Sequence, residues 1–578
     1  MRKNIALPAV LAVCISMGAC KKNGYLSSTV TSNLDSNAVF QDSTYAMEFL
    51  NNLYVNIGFA TDPMRFNGGS YAAGLESACD EAEGPNASSS NGFTMFALGT
   101  VTPTVVPTDA WGTSYGMIRA ANQYLRHLGI IPFNAQLKAE TKGEARFLRA
   151  WYYFILLEHY GGIPLIGDTV YADATQISAV RSSFRACVNY IASECDSAAV
   201  ALPLTQSGSN YGRASKGACL ALKSRLYLYA ASPLFQNGGI GQGTALDSIV
   251  AYPDADPSRW VLAANAAQAV ITTGAYSLFV DSIPGKLGYG FMSIFLQRYN
   301  TEYILAHMMD PNRYLEHLWD APSRGGSGGP HPYQELLDAF PMSNGLAITD
   351  PNSGYDPSQP YQNRDPRMGY TYMHDSTLRP QVGTNAPSPL EIYLNANVSP
   401  PVASSQDAVY QGTPTGYYIN KMIDTGVIQI NIPTSSRVLP LIRYAEILLN
   451  YAEATNESQG PVTTVYQAVE AIRQRAGLRP YQLPTNLSQA DMRKAIQNER
   501  RIELAFEGNR FFDVRRWMIA DSTDNQMMHG MEIDRSSSGT VYKEFNVRQH
   551  HFSKAMYLWP LPLSEIAKLP QLQQNPLY

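Results

Sequence analysis

The chain has 578 residues, enough to bury a large core and to hold more than one domain. Only 16% of it is charged and the net charge is −5, which excludes a dedicated nucleic-acid binder, whose footprint is basic. Its 36 tyrosines each join an apolar ring to a hydroxyl tip, a combination that suits wet, polar ligands.

At the start, Arg2 and Lys3 precede the apolar run Ile5–Ile15 and then Met17-Gly18-Ala19-Cys20. A basic end, a short apolar core and small residues before the cut predict a secretory signal over 1–19, too short for a membrane-spanning helix. The Gly-Ala-Cys ending reads as a lipobox, which makes Cys20 the acylated first residue of the mature chain; Val13 makes Cys14 the poorer site. Lipid on Cys20 would tether the protein to a membrane without a spanning segment. The later cysteines, Cys79, Cys187, Cys195 and Cys219, show no zinc spacing. Cys187 and Cys195 are separated by ~12 Å of helix rise, too far to pair within one helix. These four read as buried thiols, with room for one bridge.

The first helix is predicted at Thr44–Val55, followed by Gly/Ser/Asn-rich loops. Glu76, Asp80, Glu81 and Glu83 cluster there, as a solvated loop or, less commonly, a calcium site. From Trp111 the chain turns helical. Gly112-Thr113-Ser114-Tyr115-Gly116 matches G-x-S-x-G in form, but no buried strand precedes it and no partner pattern follows, so Ser114 is read as structural. Gly143-Glu144-Ala145-Arg146-Phe147-Leu148-Arg149-Ala150 begins a strong helix that Gly161-Gly162-Ile163-Pro164 stops. Its Arg146, Arg149 and Glu144 predict an ion network between helices.

Further helices are expected at Phe184–Leu202, Ser215–Ala231, Pro257–Thr273, Leu441–Ala454 and Val465–Ala476. Alanines such as Ala218, Ala221, Ala263 and Ala267 offer close helix contacts. Between Pro341 and Pro433 lies a third of the 36 prolines, so long helices are excluded from that stretch. Asn300–Ala306 reads as a short strand and Gly325–Gly329 as a flexible loop. The result is a mainly α chain of helical pairs, with a long irregular, loop-rich insert at about 276–435 and a few short strands.

The densest stretch is Glu499-Arg500-Arg501-Ile502-Glu503-Leu504-Ala505-Phe506-Glu507-Gly508-Asn509-Arg510-Phe511-Phe512-Asp513-Val514-Arg515-Arg516-Trp517. Ser488 is its expected N-cap, Glu499, Glu503 and Glu507 form one acidic ridge, and Gly508 is the expected helix end. Arginine forks tied to carboxylates, with stems packed on Phe and Trp, make this a clamp and not a site.

This stretch resembles the C-terminal signature of the SusD/RagB family of nutrient-binding outer-membrane lipoproteins. Glu144–Leu165, Leu336–Phe340, Asn363–Arg367, Tyr557–Pro562 and Gln574–Tyr578 are similar to further landmarks of that family. The resemblance implies a tetratricopeptide-like α-solenoid, with an N-terminal half at 20–235 and a C-terminal half at 236–578. It also implies a protein that is not an enzyme and uses no cofactor. Such a protein would bind oligosaccharide or polysaccharide at the cell surface, as the lid of a SusC-like TonB-dependent transporter. A similar lid for peptides or another polymer and a lipid-anchored hydrolase are the competing readings. Lys21-Lys22-Asn23 departs from the acids that surface-exported relatives often carry after the cysteine. Ligand contacts in the family fall in variable loops, so they are chosen here by placement: Tyr71, Phe93 and Asp80 from the early loops, and Tyr289, Asn312, Arg313, Tyr314 and Trp319 from the insert.

Overall fold

A computed structural model describes residues 36–578 apart from 67–71, 86–91, 172–178, 281–282, 328, 383–385 and 425–436. The leader and Cys20 therefore lie outside the described residues, as does Tyr71. Helices used below are α1 (Ser43–Val55), α2 (Asp109–His127), α3 (Ala135–Tyr160), α4 (Phe184–Ala199), α5 (Lys216–Ala231) and α6 (Ser258–Thr272). After these come α7 (Tyr314–Trp319), α8 (Tyr444–Gln459), α9 (Thr463–Ala476), α10 (Gln489–Glu503) and α11 (Arg510–Arg516). Asp42, Asn134, Ser183, Ser215 and Ser488 cap α1, α3, α4, α5 and α10, each side chain accepting from first-turn amides.

The helices stack in series. α2 packs on α3, α3 on α4, α4 on α5 and α5 on α6, while α8 packs on α6, α9 and α10. Where α6 meets its neighbours the contact is made of Ala231, Ala263, Ala264 and Ala454, small enough to let backbones approach. This is the expected solenoid of helical pairs. One apolar core runs from Phe40 and Leu50 through the aromatic run of α3 to Trp559 and Leu572, and so passes across residue 235.

The insert carries a second core of Trp319, Leu336, Phe340, Tyr372, Tyr417 and Ile533. Of its strands, those used below are β1 (Tyr303–Met308), β2 (Leu394–Asn395) and β3 (Val402–Ala403), joined by β4 (Val438–Arg443), β5 (Met527–Ser536) and β6 (Gly539–Gln549) from the chain that follows. β1 pairs antiparallel with β4, and the order β6-β5-β2-β3 makes a four-stranded sheet whose long hairpin is β5–β6.

Several expected helix bounds move, among them the end of α4 at Ala199 and that of α8 at Gln459, and two shifts have a visible cause. Leu441–Arg443 belongs to β4, and α8 starts at Tyr444. Every residue of β4 is buried, and a continuous apolar run does not distinguish strand from helix by periodicity. α10 ends at Glu503, five residues before Gly508. There Lys421 Nζ donates to the carbonyls of Glu503 and Ala505, and Arg443 Nη2 donates to that of Glu503. The carbonyls that one more turn would have used are thus taken by buried cations, and Phe506 takes up a left-handed φ of 60°.

Candidate functional site

The charged signature is a buried seam. Glu503 accepts from Arg367 at 2.9 Å and from Arg443 at 2.7 Å, and also bonds Arg475. Glu302 joins Arg443 (2.6 Å) to Arg475 (3.0 Å), Glu499 takes Arg367 (2.6 Å), and Glu507 takes Arg443 and Lys421. Burial opposes charge on Glu503, but the surrounding guanidinium groups win and hold its carboxyl well below the usual range. Arg500 and Arg516 share Asp513, and Arg516 reaches on to Glu453 of α8. The expected clamp is thus present, and it reaches helices and insert alike.

The second expected network is present as well. Arg149 bonds Glu194 of α4 at 2.6 Å and Asp168 at 2.6 Å, while Glu144 takes Arg213 at 2.8 Å. These groups are tied to one another and to neighbouring amides and carbonyls, so the conspicuous charge of the sequence belongs to the scaffold.

The early acidic cluster is not a solvated loop. Glu76, Asp80, Glu81 and Glu83 are all at most 4% exposed. Asp80 is clamped by Arg510 (2.6 Å) and Arg501 (2.9 Å), while Glu81 accepts from the Phe506 amide and is pushed up to about 8 by burial and by Asp80. Burial pushes Glu76 up to about 7. Among the described residues no group of three or more His, Cys, Asp or Glu is arranged to hold a metal ion. Cys79, Cys187, Cys195 and Cys219 are buried free thiols. In the Gly-rich stretch the Gly326 and Gly329 amides donate to the carbonyls of Ala321 and Leu318, which holds these two residues against the end of α7.

Open space lies elsewhere. A groove of about 810 Å³ is bounded by Glu83–Pro85, by the turn Tyr410–Pro414 and by Phe545–Arg548 of β6. Tyr410 is 59% exposed, its hydroxyl donates to Glu532 at 2.8 Å, and its ring stands edge-on to Phe545 with centroids 5.1 Å apart. The backbone there is unusual for an aromatic residue, with φ at 67°. The turn is pinned from below, since the Thr413 hydroxyl accepts from the amides of Thr415 and Gly416 and donates to the Tyr417 carbonyl at 3.0 Å. On the facing wall Arg548 Nε donates to Glu83 at 2.7 Å, and Glu83 also accepts from the Tyr333 hydroxyl at 2.7 Å. His550, pushed down to about 4 by burial, stands 3.0 Å from that hydroxyl and is neutral. The groove therefore offers ring faces, amides and one oriented guanidinium.

Of the residues chosen by placement, three lose their assigned role. Phe93 is 1% exposed and packs beneath the groove wall, so close that a Cβ on Gly84 would fall 2.3 Å from its ring. Trp319 is 1% exposed in the insert core, and Asp80 is consumed by its arginines. Tyr289, half-buried, lies 6.1 Å from the Tyr370 ring, away from the groove lining. Asn312 lines a different cavity, and the half-buried Arg313 and Tyr314 follow it, with Tyr314 under the Arg437 guanidinium. Tyr410, Phe545 and Arg548 were not chosen. The signal that could have found two of them is the apolar–polar alternation after Ser537-Ser538-Gly539, which marks a hairpin.

Comparison with known proteins agrees with this architecture. Residues 293–578 match the family described as SusD family, and 47–228 match the one described as starch-binding associating with outer membrane, leaving only 1–46 and 229–292 outside. SusD-like protein P2 of Formosa agariphila is 24% identical over 80% of this chain and 79% of its own length. The solved structure of a SusD-like protein from Bacteroides fragilis superposes with a TM-score of 0.75 at 27% identity, covering 94% of this chain and 98% of that one. A laminarin-binding SusD-like protein superposes at 0.61 with 22% identity, over 93% and 100% of the two chains. With solenoid, insert and buried signature all in place, the chain belongs to the SusD family.

Proposed function

We propose that this protein binds oligosaccharide or polysaccharide without cleaving it, and passes it to a SusC-like TonB-dependent transporter for which it is the lid. Acylation at Cys20 would hold it on the outer membrane; among the described residues no helix is long and apolar enough to cross one. The observation that carries the binding reading is the Tyr410–Phe545 pair at the mouth of the open groove. Sugar C–H faces lie on such rings, while Asn546, Gln411 and Arg548 line the same groove and suit hydroxyl groups. Glycoside cleavage uses two carboxyl groups facing one bond. Glu83 is the single carboxylate among the described lining residues, and it is committed to Arg548 and Tyr333.

The name of the laminarin-binding relative and the starch-binding family description support the same ligand class. The test is retention of the purified protein in native gels cast with neutral polysaccharides, with assay of reducing ends in the same samples. Retardation without new reducing ends is the expected result; new ends would establish a hydrolase, and no retardation on any glycan would favour a peptide ligand. The lid role predicts that a strain lacking this chain imports more slowly when ligand is limiting, and unchanged import would refute it.

A further inference from the structure

Two more cavities, of about 590 and 240 Å³, lie along β1 and its continuation to Asp310. Both are bordered by Tyr211, Gly212, Arg213 and Ala306, so the short loop 211–213 is a saddle between two lobes of one trough. The saddle is low because of Gly212. Its φ is 90°, and a Cβ there would fall 2.2 Å from the Met308 side chain. Tyr211 is held in place, its hydroxyl donating to the Asn300 carbonyl at 3.2 Å, and its ring centroid lies 4.8 Å from that of Tyr299. Tyr299 is 59% exposed. The cation of the saddle is neutralised, since Arg213 bonds buried Glu144 at 2.8 Å and donates to Asn51 Oδ1 at 2.7 Å.

Tyr211 with the Tyr299 ring against it just outside the lining, amide and hydroxyl walls, an elongated shape, an arginine already neutralised and Asp310 as the one carboxylate of the lining describe a site for an uncharged, chain-like, hydroxyl-rich ligand. We propose that this trough is a second carbohydrate-binding site, which takes another stretch of the same neutral polysaccharide that the Tyr410 groove holds. The inference rests on the glycan-binding reading above. The linings of the two sites have no residue in common. Two footholds on one chain raise affinity for a long polymer far above that for a short oligosaccharide, because the second contact forms at high local concentration.

The experiment is calorimetry on the purified protein. The probes are soluble starch, laminarin, mannan and xylan, and short oligosaccharides cut from whichever of these is retained. The wild type should bind two short oligosaccharides per chain, and Tyr299→Ala/Asn51→Ala and Tyr410→Ala should each bind one. Each variant should lose about tenfold or more in polymer affinity, and Tyr299→Trp should keep the second site. Tyr299 and Asn51 are exposed, so both substitutions leave the fold intact, which an unchanged melting temperature verifies. A stoichiometry of one in the wild type, or two sites surviving in Tyr299→Ala/Asn51→Ala, overturns the second site while glycan binding stands. Binding to none of the probes overturns both.

Discussion

The seam around Glu503 and the groove around Tyr410 use the same kinds of residue in opposite ways. In the seam, arginines and glutamates are buried together and bond one another and nearby carbonyls, away from any open space. In the groove, one arginine is oriented by one glutamate at the edge of open space and the rings stand partly in water. Charge density therefore marks the frame, while function falls to a few exposed aromatic and amide groups in ordinary-looking sequence. Stability and binding should accordingly separate by region.

The largest expected effect is in the seam. Glu503→Gln leaves Arg367, Arg443 and Arg475 without their shared counter-charge, and breaking such a buried set costs about 3–5 kcal/mol. Urea denaturation should report this loss, or a failure to fold, whereas a change under ~1 kcal/mol would mean that the seam is not the frame.

Next comes pH. Glu503 and Glu507 have depressed folded-state values, so their contribution is present above the unfolded carboxyl range and is lost as pH falls below about 4. Glu81 is the reverse case. With its value raised to about 8, the folded state holds the proton more tightly, and stability falls as pH rises from about 5 to 8. One such group contributes a slope of up to about 1.4 kcal/mol per pH unit. Glu81→Gln should make the decline between pH 5 and 8 shallower in denaturation curves, with Glu76 supplying part of what remains, and an unchanged slope would place the titrating group elsewhere.

Smaller effects belong to the groove. Thr413→Ala removes a buried hydroxyl that serves several backbone groups of the turn, at about 1–2 kcal/mol of stability, and lets Tyr410 shift, so glycan binding should weaken with it. Tyr410→Ala should change stability by no more than about 0.5 kcal/mol. If that substitution unfolded the protein, the division between frame and groove would fail.

The frame was legible in the sequence because its signals are local. The cap at Ser488, the glycine stop after Tyr160 and the arginine–carboxylate spacing of α10 are each determined by a few neighbouring residues. Two of the bounds that shifted were set from a distance, by β1 pairing with β4 and by Lys421 and Arg443 taking the last carbonyls of α10. The groove was the least legible part. It joins Glu83, Tyr410 and Phe545, each more than a hundred residues from the next, and no local pattern brings them together. Aromatic residues near loops were a poor guide: Phe93 and Trp319 turned inward because a bulky ring beside a core gains more by burial than by exposure.

The most direct test is the dissociation constant of the wild type and of Tyr410→Ala/Phe545→Ala for a polysaccharide that retards the wild type, measured at matched melting temperature. The account predicts a loss of tenfold or more in affinity, about 1.4 kcal/mol or more, with the fold unchanged. Equal affinity in the two proteins would show that the Tyr410 groove is not where the glycan is held.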